Sequence, residues 1–196
     1  MPDRTARIAP LQPPYAPDVA AALAKWMPPG SPVEPLRLFR TLTVHAELAS
    51  RMRPLGAGIL GSQATVPAPL REVMIHRTCA LTGAEYEWGV HAIGFGKPLG
   101  LSDEQLHSTV HGSWSDPCWD ARQSAVMRLA DELHHMSAVS EELWHALSGH
   151  FDEPQIVELL VTAGWYHVIS YVCNGLRIER EEWAARFPAP AARASA

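Results

Sequence analysis

The chain is poor in cysteine: Cys79, Cys118 and Cys173 are its only three, far apart and with no CxxC among them. So sparse and odd a count excludes a disulfide scaffold and suits free thiols in a reducing compartment. Positive charge is also short. With a formal net charge of −5 and a pI near 6.0 there is no basic field for a nucleic-acid partner. No phosphate-cradling glycine loop, nucleophile elbow or dinucleotide fingerprint occurs, which removes the kinase, hydrolase and Rossmann readings. The opening MPDRTARIAPLQPPY has no apolar h-region and does not read as a secretory signal, so the expected compartment is the cytoplasm. The one long apolar run, Ile156 to Cys173, carries Glu158 and His167 and reads as a buried core helix rather than a membrane span. No membrane partner is expected.

What is present is enough apolar residue for one core. The 196 residues are 47% hydrophobic and 19% charged, a size and balance that suit a single folded domain. Prolines crowd residues 1–34, which read as an arm with one helical island from Asp18 to Met27. The arm is expected to wrap the surface or a neighbouring subunit. From there the pattern is helical. Leu36, Phe39, Leu42 and then Leu48, Met52, Leu55, Ile59 recur at three- and four-residue spacing, predicting a helical pair before Gly61. Pro69 is placed as a first-turn proline, and Leu70, Val73, Met74, Arg77 and Leu81 trace a largely apolar stripe up to a break at Gly83. A second helix follows as far as Gly96 and Pro98, with Gly89 and Gly94 inside it, where glycine permits close packing. SDEQL at Ser102 and DEPQI at Asp152 read as N-caps with Gln three residues on, and Asp116-Pro117 and Ser140-Glu141 as two further starts. The fold class is all-α, with about eight helices, a domain over 35–182, and a loose tail over 183–196.

One segment looks chemical. Glu87 and His91, four residues apart, stack on one helix face, and the break at Gly83 can fold Glu72 of the preceding helix back against them. An imidazole between two carboxylates is held in one tautomer with raised basicity, which suits proton transfer near neutral pH. Spacing alone leaves open a weak surface pair worth a few tenths of a kcal/mol.

The string LREVMIHRTCALTGAEYEWGVHAIGFGKPLGLSDEQL resembles the core motif of the carboxymuconolactone decarboxylase and alkylhydroperoxidase-D-like superfamily: an RE-initiated helix, a break, an ExxxH helix and a G-L-[ST]-x-E segment. The likeness extends over about residues 35–180 and implies an AhpD-like bundle with two related helical halves, of which a faint echo between the helices led by Glu72 and Glu158 is one sign. In the peroxidase branch two thiols lie four and seven residues before the histidine; here those positions are Glu87 and Ala84, so the usual dithiol peroxide reduction lacks its resolving pair. Cys79 reads as a buried structural thiol. The decarboxylase branch has Glu and His at the ExxxH positions, and the resemblance implies Glu87 and His91 as the acid/base pair, with Glu72 as relay or packing anchor. Cationic His91 is then the proton donor to carbon after loss of CO₂, in a mechanism that calls for no cofactor and no metal. The superfamily also implies a homo-oligomer, a trimer or hexamer, acting on a small-molecule substrate.

The remaining histidines and aromatics read more blandly. His107 and His111 form a solvated HxxxH face, and His134-His135 a cationic helix end. Tyr86 and Trp88 read as packing residues, and Trp165, Tyr166 and Tyr171 as core. Because the superfamily packs the last helix near the catalytic pair, His167 is kept as a site candidate from the second half. Three functions therefore compete: a proton-transferring lyase or isomerase-like enzyme on a small carboxylic acid, lactone or carbonyl compound; an antioxidant peroxidase; and a non-catalytic oligomeric scaffold.

Overall fold

The structure, a computed structural model, describes residues 5–190 apart from 29 and 32. Within them lie nine α-helices and no strand: α1 (Pro17–Ala24), α2 (Arg37–Leu42), α3 (Ala46–Leu60), α4 (Ala68–Leu81), α5 (Glu85–His91), α6 (Asp103–His111), α7 (Ala121–Met136), α8 (Glu141–His150) and α9 (Glu153–Leu176). A single 3-10 turn, Thr43–His45, joins α2 to α3, and five residues of π-helix, Ala92–Gly96, continue α5.

The core is built around α4, which packs against α5, α6, α7 and α9. Every residue from Leu70 to Cys79 is buried, so the apolar stripe expected from the sequence understates the burial: α4 is enclosed on all sides. Arg77 tolerates this because it is paired. Arg77 donates Nε to Asp131 at 2.6 Å and Nη1 to the carbonyls of Thr109 and Gly112 at 3.0 and 3.2 Å. The chain reverses into α5 at Gly83, whose φ of +67° is the left-handed geometry glycine adopts most readily. The Ala84 amide closes that turn on the Cys79 carbonyl at 2.8 Å.

Helix starts follow local chemistry. Ser102 with Gln105 and Asp152 with Gln155 form reciprocal capping boxes, and Ser140 accepts from the Leu143 amide. The start expected at Asp116-Pro117 lies instead at Asp120, which forms a capping box with Gln123. Asp116 is used elsewhere, accepting from the Ser108 hydroxyl at 2.7 Å and from the Ser113 amide.

Helix α9 is long and apolar enough to cross a membrane by length and composition, yet half of its apolar window is buried inside the protein. It serves as a core helix against α4. Its Glu158 carboxylate accepts from the Thr65 amide and hydroxyl and from the Val66 amide, fixing the α3–α4 connection.

At both ends of the described residues the chain lies against the helical body. In the arm, the Arg7 amide donates to Leu176 O, Arg40 donates to Leu11 O, and Trp26 stacks on Phe39 with ring centroids 4.7 Å apart. The segment after α9 is not loose as far as it is described. The Ala185 amide donates to Gly89 O, the Phe187 amide to Glu85 Oε1, and the Phe187 ring packs on Trp88. His107 and His111, expected to be solvated, meet the carbonyls of Ala189 and Pro188. The apolar Phe187 and these backbone acceptors outweigh the proline-rich composition that suggested a tail; residues 191–196 lie outside the described residues.

Candidate active site

Three elements bring the site together: α4 supplies Glu72 and His76, α5 supplies Glu87 and His91, and α9 supplies Tyr166. His91 Nδ1 lies 2.9 Å from Glu72 Oε2, and its Nε2 lies 3.0 Å from Tyr166 Oη and 3.5 Å from Glu87 Oε1. All five side chains are buried. The π-helix that follows His91 carries Phe95, whose ring stacks on the imidazole at 4.8 Å between centroids.

The electrostatics divide the two histidines. Burial works against a charge on His91, but Glu72 and then Glu87 outweigh it and push the imidazole up to about 10, so at neutral pH it is a cation. As a cation it donates Nδ1–H to Glu72 and Nε2–H to Tyr166. His76 is pushed down to about 4, chiefly by complete burial and further by the neighbouring His91 cation, against the pull of Glu72. Neutral His76 donates Nδ1–H to the Glu72 carbonyl at 2.7 Å and sits 3.6 Å from Glu72 Oε2. It fits only because residue 96 is glycine; a Cβ there would meet its ring carbon at 2.9 Å. A buried line therefore runs His76, Glu72, His91, Tyr166. Burial and the two carboxylates raise the Tyr166 phenol well above its usual range, so it stays protonated.

Only part of this line is reachable. A cavity of about 820 Å³ is lined by Glu87, His91 and Tyr166, with Trp26, Phe39, Trp165 and Trp183 among its apolar walls. Glu72 and His76 lie behind it. Glu72 is a positioning residue that holds the ring through Nδ1, leaving the Nε2 edge beside the cavity. Glu87 Oε2 is buried without a hydrogen-bond partner.

Of the residues expected from the sequence, the structure thus brings Glu72, Glu87 and His91 together and leaves His167 out. His167 Nδ1 donates to Ala163 O, and its Nε2 meets His134 Nδ1 at 3.2 Å, in a separate cleft of about 630 Å³ that none of the site residues lines. The last helix does reach the site, but through Tyr166, one residue earlier and about 100° around the helix. Tyr166 is core, as expected, and also meets the His91 ring. Tyr86 and Trp88 are packing residues as expected: Tyr86 donates to Glu181 and accepts from the Leu38 amide, while Trp88 donates to Thr109 Oγ1. Cys79 and Cys173 are buried free thiols pushed up by that burial, and Cys118 is a partly exposed one. Among the described residues no group of three His, Cys, Asp or Glu side chains is placed to hold a metal ion.

This order of helices, with a glutamate-bearing core helix reversing through glycine into an ExxxH helix, is an AhpD-like fold. It is shared with an uncharacterised peroxidase-related protein from Silicibacter sp. TM1040 (TM-score 0.78, 13% identity, covering 95% of this chain and 98% of that one). It is shared too with the apo debrominase Bmp8 (TM-score 0.73, 13% identity, 92% and 95% covered), a variant of which has been solved with 2,3,4-tribromopyrrole. A protein of unknown function from Agrobacterium tumefaciens, described as a putative antioxidant defence protein AhpD, aligns at TM-score 0.64 and 15% identity over 71% of this chain and 95% of that one. No family profile and no curated protein matches the sequence itself.

Proposed function

We propose that the chain is an enzyme that transfers a proton within a small carboxylic acid, lactone or carbonyl compound, acting as a decarboxylase-like lyase in the manner of the carboxymuconolactone decarboxylases. The observation that carries this reading is the cationic His91, held through Nδ1 by buried Glu72 while its Nε2 faces Tyr166, Glu87 and the cavity. In such a reaction the bond from carbon to the departing carboxylate breaks and its electron pair passes into the conjugated carbonyl. The His91 Nε2 proton then goes to that carbon, and Glu87 supports the ring as it gives up its charge. Tyr166 keeps a hydroxyl beside Nε2 to donate once the ring is neutral. An apolar cavity favours the charge-dispersing step over water.

The peroxidase reading has less support. Glu87 and Ala84 occupy the positions of the thiol pair, and burial holds the Cys79 and Cys173 thiols in the unreactive protonated form. Three free thiols suit the cytoplasm. The homo-oligomer implied by the superfamily is favoured by an exposed apolar stripe along α9, Val157, Val161, Val168 and Tyr171.

The reading is tested by offering conjugated lactone acids and β-keto acids in D₂O and following CO₂ release and deuterium incorporation at carbon. Turnover is expected to fall by about 10²- to 10⁴-fold in His91→Ala and Glu87→Gln. If wild type instead reduces peroxides with a thiol donor, and Cys79→Ser abolishes this while His91→Ala does not, the proton-transfer reading falls.

A further inference from the structure

The cavity above His91 has one wall out of keeping with the rest. Helix α3 lines it with Arg53, Gly56, Ala57 and Leu60, residues spaced three and four apart on a single face. Three of these four are small or apolar, and Gly56 is bare because the Trp165 indole lies against it, where a Cβ would be 3.0 Å from the ring. The fourth is an arginine. Arg53 is half-buried and among the described residues has neither a hydrogen bond nor an ion pair, as is true also of Arg71 and Arg122, which do not line this cavity; the half-buried Arg37 and Arg128 each hold a carboxylate. The indoles of Trp26, Trp165 and Trp183 and the ring of Phe39 line the same cavity. The single carboxylate on the cavity, Glu87, belongs to the proton-transfer centre.

A planar guanidinium without a partner, sharing a cavity with aromatic rings and an acid/base centre, is the arrangement that recognises a carboxylate on a flat, largely apolar molecule. We propose that Arg53 binds a carboxylate that takes no part in the reaction, and that the substrate is an aromatic or conjugated ring compound carrying this group at one end and its reacting centre at the other. The tryptophans hold the ring, Arg53 fixes its direction, and His91 and Glu87 receive the opposite end. This rests on the proton-transfer reading for the identity of the reacting end, but the anion site itself is measured by binding and needs no turnover.

Quenching of the cavity tryptophans reports occupancy, with 1-naphthoate as the anionic probe and 1-naphthamide as its neutral counterpart. Wild type is expected to bind naphthoate at least about tenfold more tightly than naphthamide. Arg53→Gln is expected to lose that preference while keeping its affinity for naphthamide, and Arg53→Lys to keep part of it; unchanged thermal melting shows that the variants are folded. Lys25→Gln, at the exposed rim of the same cavity, is expected to change the preference less than threefold. The proposal is overturned if Arg53→Gln prefers naphthoate as wild type does, if Lys25→Gln abolishes the preference, or if neither probe saturates with wild type. His91→Ala separates the two claims: it is expected to abolish turnover and retain the preference for naphthoate.

Discussion

Replacing Glu72 by glutamine probes the centre most directly, because it removes one negative charge at nearly constant shape. In the wild type Glu72 Oε2 lies 2.9 Å from His91 Nδ1, both groups being buried. At an effective dielectric constant near 20, opposite charges about 4 Å apart attract by about 4 kcal/mol, which corresponds to about three pKa units. The glutamine oxygen still accepts from Nδ1–H, so the ring keeps its place while its charge loses its main support. The His91 pKa, pushed up to about 10 in the wild type, is then expected near 7, roughly three units lower. Long-range ¹H–¹⁵N correlation of the imidazole nitrogens from pH 5 to 11 measures it directly. A second consequence concerns stability. Below about pH 7 the variant loses on the order of 3–5 kcal/mol, the typical cost of breaking a buried ion pair. Above the wild-type pKa His91 is neutral in both proteins, and the difference between them shrinks. If the imidazole of the variant titrates within one unit of the wild type, or if the loss of stability is the same at pH 7 and pH 10.5, Glu72 does not set the charge of His91.

Two further outcomes follow from the same geometry. The folded pKa of His91 is raised, so its contribution to stability is complete below the unfolded value near 6.5 and is lost as pH rises through about 10; that of His76 is lowered, so stability also falls as pH drops from about 6.5 through about 4. Urea midpoints are therefore expected to peak near pH 6.5, and a midpoint independent of pH between 5 and 9 contradicts the assignment. Gly89→Ala places a Cβ 2.1 Å from the Ala185 carbonyl and is expected to cost about 1–3 kcal/mol and to open the 183–190 segment to proteolysis. Gly58→Ala, in open space on α3, is expected to stabilise by up to about 1 kcal/mol, so equal effects on the melting temperature overturn this account.

The parts legible in the sequence were those governed by short-range chemistry. The capping boxes at Ser102 and Asp152, the glycine reversal at Gly83 and the i,i+4 pair Glu87–His91 are each set by residues close in the chain. Glu72 was legible because one turn of known hand carries α4 back onto α5. Tyr166 and His76 were not, since both owe their roles to partners brought near by packing. An available signal for His76 was its own i,i+4 relation to Glu72 on the same helix. For Tyr166 none existed without knowing the rotation of α9, and a histidine next to it drew the assignment one position too far. The packing of residues 183–190 is not legible for a related reason. Proline content marks a segment as non-helical, but it does not show whether that segment packs.

That packing has a consequence for how the molecule can change. Trp26 and Trp183, which face one another's cavity from opposite ends of the chain, lie outside the stretch in which the helical motif is recognisable. The proton-handling groups sit on the buried faces of α4, α5 and α9, where substitution disturbs close packing. Part of the remaining cavity wall, Trp26 and Trp183, comes from stretches near the two ends. Exchanging the end segments between related chains is therefore a route to altering part of the cavity wall while leaving Arg53, Trp165 and the acid/base groups in place.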